Sequence, residues 1–402
     1  MTGIHLVEHA PAVRLPLPAA VGQALAASRI VEAAPDPALP GHWKLRAGSK
    51  VGAVTFRLAG IQDFTLRITP KVPVARLFFL MGYALSPSTA PTGHDVDTAE
   101  HTEVLPAFAH AYERQLSRAL GQGLVQGYRT TEESALVVRG RVREGDQIRR
   151  RFGQPLPVEI TYDAYTTDIP ENRILRAATE RLLRMPDVPH DVRRRLAHHR
   201  ARFSDVAPLV RGQALPAWRP TRLNARCHRA LRLAEALLRG ASSEHGEGPL
   251  RVEGFLFDMN RLFEDFLCTA LREALAAYGG RAELQAKGIH LDHRGTVRMR
   301  PDLVWYTDQG SARAVVDAKY KARKPEGFPE ADLYQMLAYC TALGLPEGHL
   351  VYAKGTEPHT VHRVRNADVL LHQHALDLDQ PPDALLRDIG DLAAQLATSA
   401  LV

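Results

Sequence analysis

The chain has 402 residues, too many for one ordinary hydrophobic core, so two or three domains are expected. Hydrophobic residues make up 45% and charged residues 24%, the composition of a soluble globular protein. No apolar run approaches the roughly 18 residues of a membrane-spanning helix, and the net charge of +6 is compatible with a phosphate-rich partner without requiring one. Three cysteines, Cys227, Cys268 and Cys340, lie far apart. They predict neither a disulfide framework nor a CxxC metal site, which fits a reducing cytoplasm. Residues Met1 to His9 lack the basic-then-apolar form of a signal peptide.

Residues 1 to about 70 read as short strands, with 51–58 and 64–70 the clearest. A short apolar helix is expected from Leu77 to Ala84 and a longer one from Val104 to about Leu124. A strand over 135–142, an arginine-rich turn or helix over 143–152 and a strand near 158–162 make a β-rich projection with a basic tip. Its arginines are Arg139, Arg141, Arg143, Arg149, Arg150 and Arg151. A second group is Arg193, Arg194, Arg195, Arg200 and Arg202, where a solvated helix face accounts for the charge. Helices are expected over 170–183, 190–203 and 224–238, and a Gly/Ser/Glu linker over 240–248. The division expected is a β-rich domain over 1–165, a helical connecting segment over 166–248 and an α/β domain over 249–402. The last reads as a helix from 260 to about 278, strands over 282–291, 297–306 and 313–320, a helix over 328–343, two strands and a terminal helix. Helices covering a central sheet make it mixed α/β. No G-x-x-x-x-G-K-[ST] occurs, so any nucleotide hydrolysis falls to another protein.

The chemistry concentrates in two stretches, Arg300-Pro301-Asp302-Leu303-Val304-Trp305 and Ala314-Val315-Val316-Asp317-Ala318-Lys319-Tyr320. Both read as strands. Asp317 and Lys319 alternate onto one face, roughly 6–7 Å apart. If the strands pair, that face gathers two carboxylates and an ammonium. Two carboxylates are a minimal oxygen site for Mg²⁺, which takes phosphate oxygens as further ligands and lowers the pKa of bound water. Lys319 beside them can orient that water or stabilise developing charge. The set describes phosphodiester hydrolysis; an ordinary ion pair on a solvated strand is the competing explanation. Glu264, on the helix upstream, can lean toward the acidic face. Gln335 and Tyr339 share a face of the downstream helix, being four apart. There Tyr334, Leu337, Ala338 and Leu343 are read as the core face, and from periodicity Tyr339 can equally be core and Gln335 surface. His372 and His374 could hold zinc, yet no third ligand is spaced nearby, and solvated alternate histidines account for them.

The order Glu264, Pro301-Asp302, Asp317-x-Lys319, Gln335-x-x-x-Tyr339 resembles the PD-(D/E)xK nuclease fold, in particular its RecB-like branch. Blocks 255–264, 317–321, 162–173 and 76–84 further resemble the McrC family, the nuclease subunit of the McrBC modified-cytosine restriction systems. Asp317 stands where many nucleases of this fold have Glu. The resemblance implies a Mg²⁺-dependent DNA endonuclease. Asp302, Asp317, the Ala318 carbonyl and Glu264 would serve the metal. Lys319 would position the attacking water, and Gln335 with Tyr339 would orient the Lys319 region or the DNA backbone. It also implies double-stranded DNA and a hexameric McrB-like AAA+ GTPase as partners, the latter docked on the N-terminal part with the projection 135–162 as the candidate finger; GTP would be used only by that partner, its hydrolysis stimulated by this chain. Two alternatives are a non-cutting coupling protein with a degenerate core and a stand-alone RecB-like nuclease.

Overall fold

The computed structural model describes residues 3–58, 62–85, 103–210, 213–240, 250–322, 330–354 and 359–399. Its chain divides into two compact units, Met1–Ala107 with Ser243–Val402, and Phe108–Ser242. This differs from the three consecutive segments 1–165, 166–248 and 249–402 expected from sequence. The first and last thirds of the chain fold together, and the middle is an insertion between them. The expected linker lies almost wholly outside the described residues.

The first unit begins with β1 (Gly3–Val7), β2 (Val13–Pro16), α1 (Ala19–Ser28), β3 (Val31–Pro35), β4 (His42–Ala47), β5 (Lys50–Leu58), β6 (Phe64–Thr69) and α2 (Val74–Leu85). The two expected strands are therefore present as β5 and β6. Phe64, Leu66 and Ile68 alternate inward along β6, and Phe56 stacks on Phe64 with ring centroids 4.8 Å apart. Strands β2, β4 and β3 form a separate small sheet.

The second unit holds most of α3 (Val104–Leu120), then β7 (Gly127–Ala135), β8 (Arg141–Val142), α4 (Glu144–Arg151), β9 (Val158–Thr166), α5 (Pro170–Arg184), α6 (His190–Ala201) and α7 (His228–Gly240). Buried Tyr112 of α3 donates to the Leu175 carbonyl of α5 at 2.8 Å. The expected strand at 135–142 is displaced. The long strand is β7, whose Gly-Tyr-Arg-Thr-Thr-Glu-Glu-Ser-Ala carries little apolar signal because it forms a ribbon with β9. The apolar run Leu136-Val137-Val138 that suggested a buried strand is exposed, at 74%, 65% and 54%. Most arginines of the basic tip have local partners: Arg143 and Arg149 pair with Asp146, and Arg150 and Arg151 with the buried Glu159. In the second arginine group, Arg193 donates to the Leu183 carbonyl at 2.7 Å, closing the end of α5. Arg195 pairs with Glu113, and Arg200 with Glu180.

The first unit resumes with β10 (Leu250–Asp258), α8 (Met259–Leu275), β11 (Arg281–Leu284), β12 (Ile289–His290), β13 (Arg298–Met299), β14 (Leu303–Tyr306), β15 (Ala312–Ala322), α9 (Glu330–Leu343), β16 (Glu347–Lys354), β17 (His359–Arg363), β18 (Leu370–Ala375) and α10 (Pro382–Ser399). Strand β10 joins the N-terminal sheet, giving the order β1-β6-β5-β10. Its approach to β5 requires glycine: a Cβ on Gly254 would stand 2.4 Å from the Ala53 carbonyl oxygen. The main sheet runs β11-β14-β15-β16-β18-β17. Strands β11, β14 and β15 form an antiparallel meander, whereas β15, β16 and β18 are parallel. Parallel strands need covered faces, and Ala314, Val315 and Val316 are accordingly all buried. The fold is mixed α/β, as the element pattern implied.

Three details depart from the sequence reading of this region. The strand expected over 282–291 is broken into β11 and β12, with Gln285 at a left-handed φ of 50° between them. The strand expected over 297–306 is likewise broken, at Arg300-Pro301. Helix α9 buries Asp332, Met336, Tyr339 and Cys340 rather than the expected face, and Tyr334 is 66% exposed.

Helix α8 ties the two ends of the chain together. Asp258 caps it, accepting from the Asn260 N–H at 3.0 Å. Its Phe266 packs edge-on against Phe79 and Tyr83 of α2, and Tyr83 donates to Glu273 at 2.6 Å.

Candidate active site

The pairing of β14 with β15 sets Leu303 against Val316, which brings Asp302 opposite Asp317. Lys319 follows on the same face of β15. It pairs with Asp317 and donates to Gln335 Oε1 at 2.9 Å. Gln335 in turn donates to the Tyr339 hydroxyl at 2.9 Å, and that hydroxyl donates to the Arg300 carbonyl at 3.3 Å. The two readings of α9 therefore merge. Tyr339 is buried and Gln335 exposed, as periodicity allowed, and both belong to the hydrogen-bond chain that holds Lys319.

On the acidic side, Asp302 accepts the Ala318 N–H at 2.8 Å through Oδ2. Its Oδ1 accepts from Gln285 Nε2 at 3.0 Å, and the same amide group donates to Glu264. Gln285 thus bridges two carboxylates from different elements. Sequence reasoning missed it, because a lone glutamine after a strand carries no signal. Its left-handed backbone turns its side chain into the site. The Ala318 amide is engaged with Asp302, while the metal role of its carbonyl rests on the resemblance.

Burial shapes the titration of this cluster. It pushes Asp317 up to about 7, with the Asp302 carboxylate adding to the effect. Burial pushes Asp302 up to about 6 and is opposed by the Ala318 N–H. Glu264 is raised too, by burial first and then by Asp265 and Asp317. Burial alone would lower Lys319, but Asp317, Asp332 and Asp302 outweigh it and hold the ammonium above its ordinary value. Asp317 Oδ2 is buried, with the Lys319 ammonium against it. Crowded, desolvated carboxyls with spare oxygen lone pairs fit a hard divalent cation, which would relieve their mutual repulsion. Asp302, Asp317 and Glu264 are the oxygen donors available.

The model of the McrBC family, described as the McrBC 5-methylcytosine restriction system component, matches residues 45–353, more than half of the chain. The chain belongs to the McrBC family. A chain from a Thermococcus gammatolerans structure, described as a refined half-complex from a tetradecameric assembly of McrB AAA+ hexamers with bound McrC, superposes with a TM-score of 0.60 at 18% identity, covering 98% of this chain and 100% of that one. That likeness concerns the fold. A chain of the cryo-EM structure of the Thermococcus gammatolerans McrBC complex gives a TM-score of 0.41 at 20% identity, over 68% of this chain and 88% of that one. No curated protein matches the sequence. No helix of the described residues is long and apolar enough to cross a membrane.

In this McrBC family member a buried carboxyl links the N-terminal sheet to β15. Glu8, just after β1, is fully buried. It accepts the Lys71 N–H at 3.2 Å and the Tyr320 hydroxyl at 3.1 Å, next to Lys319. Burial pushes its carboxyl from 4.5 up to about 7. The neutral acid is the form that folding favours. Its contribution is therefore whole below the unfolded value and is lost as pH rises through about 7, on the order of 3 kcal/mol in all. Glu8→Gln keeps an acceptor for Tyr320 and removes the charge. It is expected to shrink the loss of stability between pH 5 and pH 8, measured by urea unfolding without divalent ions. An unchanged loss would show that Glu8 is already ionised in the fold.

Proposed function

We propose that this chain is the Mg²⁺-dependent endodeoxyribonuclease subunit of a modification-dependent restriction system, with a PD-(D/E)xK core formed around Asp302 and Asp317. The observation that carries the reading is the convergence of Asp302, Asp317 and Lys319 on one face, beside Glu264, in a desolvated cluster with spare carboxylate lone pairs. When bound, the metal would supply an acidified water and neutralise charge on the scissile phosphate. The chain's own residues do the rest. The Ala318 N–H and the Gln285 amide fix the Asp302 carboxylate. Asp317 and Gln335 hold the Lys319 ammonium where it can orient water and stabilise the phosphorane-like charge. Hydrolysis would leave a 5′-phosphate and a 3′-hydroxyl. Tyr339, anchored on the Arg300 carbonyl, keeps Gln335 in place.

The reading includes a McrB-like AAA+ GTPase hexamer that recognises modified cytosine and spends the GTP. It is tested by cleavage of methylated against unmethylated plasmid, with Mg²⁺, GTP and a McrB-like AAA+ protein. Methylation-dependent cutting that needs all components supports it. If GTP hydrolysis rises and no DNA is cut under any condition, the coupling-protein alternative replaces it.

The docking element in this reading is the ribbon of β7 and β9 with its tip. It displays Leu136, Val137, Ile148 and the 90%-exposed Phe152, more apolar surface than a solvated projection would carry. Because Arg150 and Arg151 neutralise buried Glu159, removing them would confound binding with folding. The cleaner variants are Phe152→Asp and Arg149→Ala. Phe152→Asp is expected to weaken association with the GTPase by ~30-fold or more, as loss of an aromatic anchor does, and to lower GTPase stimulation in step. Unchanged binding and stimulation would remove the ribbon from the docking surface.

A further inference from the structure

The sequence left His372 and His374 without a third metal ligand. The sheet provides one. Parallel pairing of β16 with β18 sets His349 opposite His372, and His374 follows two residues later on the same face. Nitrogen atoms of His349, His372 and His374 all lie within 4.8 Å of one another. Strand β17 adds His359, whose ring stacks on His374 at 4.6 Å. The cluster is not a second view of the carboxylate site. His349 pairs with Val316, one residue off from Asp317, so the imidazoles and the carboxylates project from opposite faces of the sheet.

Several features separate this group from solvated histidines on a strand. His349 is 2% exposed, and its Nε2 is buried with no hydrogen-bond partner. An unpaired nitrogen in such a place costs free energy unless something occupies it. Its Nδ1 lies 3.2 Å from His374 Nε2. Imidazole ligates metals in its neutral form, which burial favours. His372 Nε2 lies 3.0 Å from Glu347 Oε2 and donates to it, which leaves the lone pair on Nδ1. A carboxylate behind an imidazole in this way orients metal ligands and raises their basicity. His359 Nε2, 3.1 Å from that Nδ1, is the candidate fourth ligand.

We propose that His349, His372 and His374 form a binding site for a nitrogen-preferring divalent transition metal, Zn²⁺ by its chemistry, separate from the oxygen site at Asp302 and Asp317. Hard Mg²⁺ and Ca²⁺ select oxygen donors, whereas imidazole suits Zn²⁺ and its neighbours. The ion would cross-link β16 and β18, a structural role with no part in DNA cleavage.

The test uses tag-free full-length protein, stripped with chelator and titrated with Zn²⁺ against a competing indicator. Co²⁺ serves as the absorbing substitute. The wild type is expected to bind one tight Zn²⁺ and to give visible Co²⁺ ligand-field bands. His372→Gln and His374→Gln, each checked for folding by circular dichroism, are expected to weaken Zn²⁺ by more than ~100-fold. Glu347→Gln, which removes only the supporting carboxylate, should weaken it by ~10–100-fold. A variant with Asp302→Asn and Asp317→Asn should retain the ion. Absence of tight Zn²⁺ binding by folded wild type overturns the proposal. So does binding that survives both histidine changes, or binding lost only with the aspartates.

Discussion

Lys319→Ala is expected to lower Mg²⁺-dependent DNA cleavage by roughly 10²–10⁴-fold, the range for losing one positioned charge or proton-handling group at a reacting centre. Binding to the GTPase partner should be unchanged. Asp317→Asn should abolish cleavage outright, since the neutral amide removes charge that a divalent cation needs. Its effect on the fold runs the other way. Burial and the neighbouring Asp302 disfavour the Asp317 carboxylate. In the absence of divalent ions at pH 8 the asparagine variant is expected to be at least as stable as wild type. The same balance sets a pH dependence. Burial pushes Asp317 up to about 7 and Asp302 up to about 6, so at the proposed Mg²⁺ site protons would compete with the cation up to neutral pH. The Mg²⁺ concentration giving half-maximal cleavage should fall by about tenfold per unit from pH 6 to pH 7 if one proton is displaced, and level off above pH 8. A Mg²⁺ requirement that is flat with pH would mean that the carboxylates are already ionised. Full activity in either variant would remove them from the active centre.

The second large effect is structural. Asp168→Ala is expected to destabilise the unit formed by residues 108–242 by ~2–4 kcal/mol, the cost of breaking a mostly buried ion pair after allowing for the partial exposure of its arginines. Arg173 grips the Asp168 carboxylate with two parallel bonds of 2.6 Å each, the Ala207 N–H adds a third at 2.9 Å, and Arg129 completes the set. Beside it Asn172, fully buried, donates to the carbonyls of Val125 and Thr167 at 2.7 Å. The Arg173 guanidinium, first among the causes, holds the Asp168 carboxyl well below its ordinary value. This contribution is therefore complete above pH 4 and is lost as pH falls toward the folded-state value. Urea unfolding of Asp168→Ala and Asp168→Asn at pH 7, with limited proteolysis between residues 108 and 242, measures the effect. A change within ~0.5 kcal/mol would show that Arg129 and Arg173 find water as good a partner.

Much of the site was legible because its chemistry is carried by residue types at fixed strand spacing. Asp317-x-Lys319 on a Val-rich strand and Pro301-Asp302 before an apolar run mark the carboxylate face before any pairing is known. Glu264 and the Gln335–Tyr339 pair follow from helix periodicity and the resemblance together. Gln285 and Glu8 were not legible, since each acts through contacts far away in sequence: Gln285 through a left-handed turn, Glu8 through a hydroxyl more than 300 positions along. The ribbon of β7 and β9 was hidden for the opposite reason. A strand solvated on both faces has no hydrophobic alternation, while its apolar loop imitates a strand. The third histidine of the Glu347 cluster lies in a neighbouring strand, and parallel register alone reveals it. The boundary in the 240–248 linker was legible, but the return of the chain after it to the N-terminal sheet was not, because β10 reads as the start of a separate domain while its hydrogen bonds belong to that sheet.

That last pairing bears on how the protein is made. Strand β5 is buried on both faces from Val51 to Phe56, and among the described residues the edge away from β6 is covered by β10. Roughly 190 residues separate the two in the chain, so the edge waits on the order of 10–40 s for its partner during synthesis. A long, flat, apolar edge left open is a template for pairing with other chains. The nascent N-terminal sheet is thus a natural client for chaperones, and fragments ending before Leu250 are expected to aggregate when expressed alone.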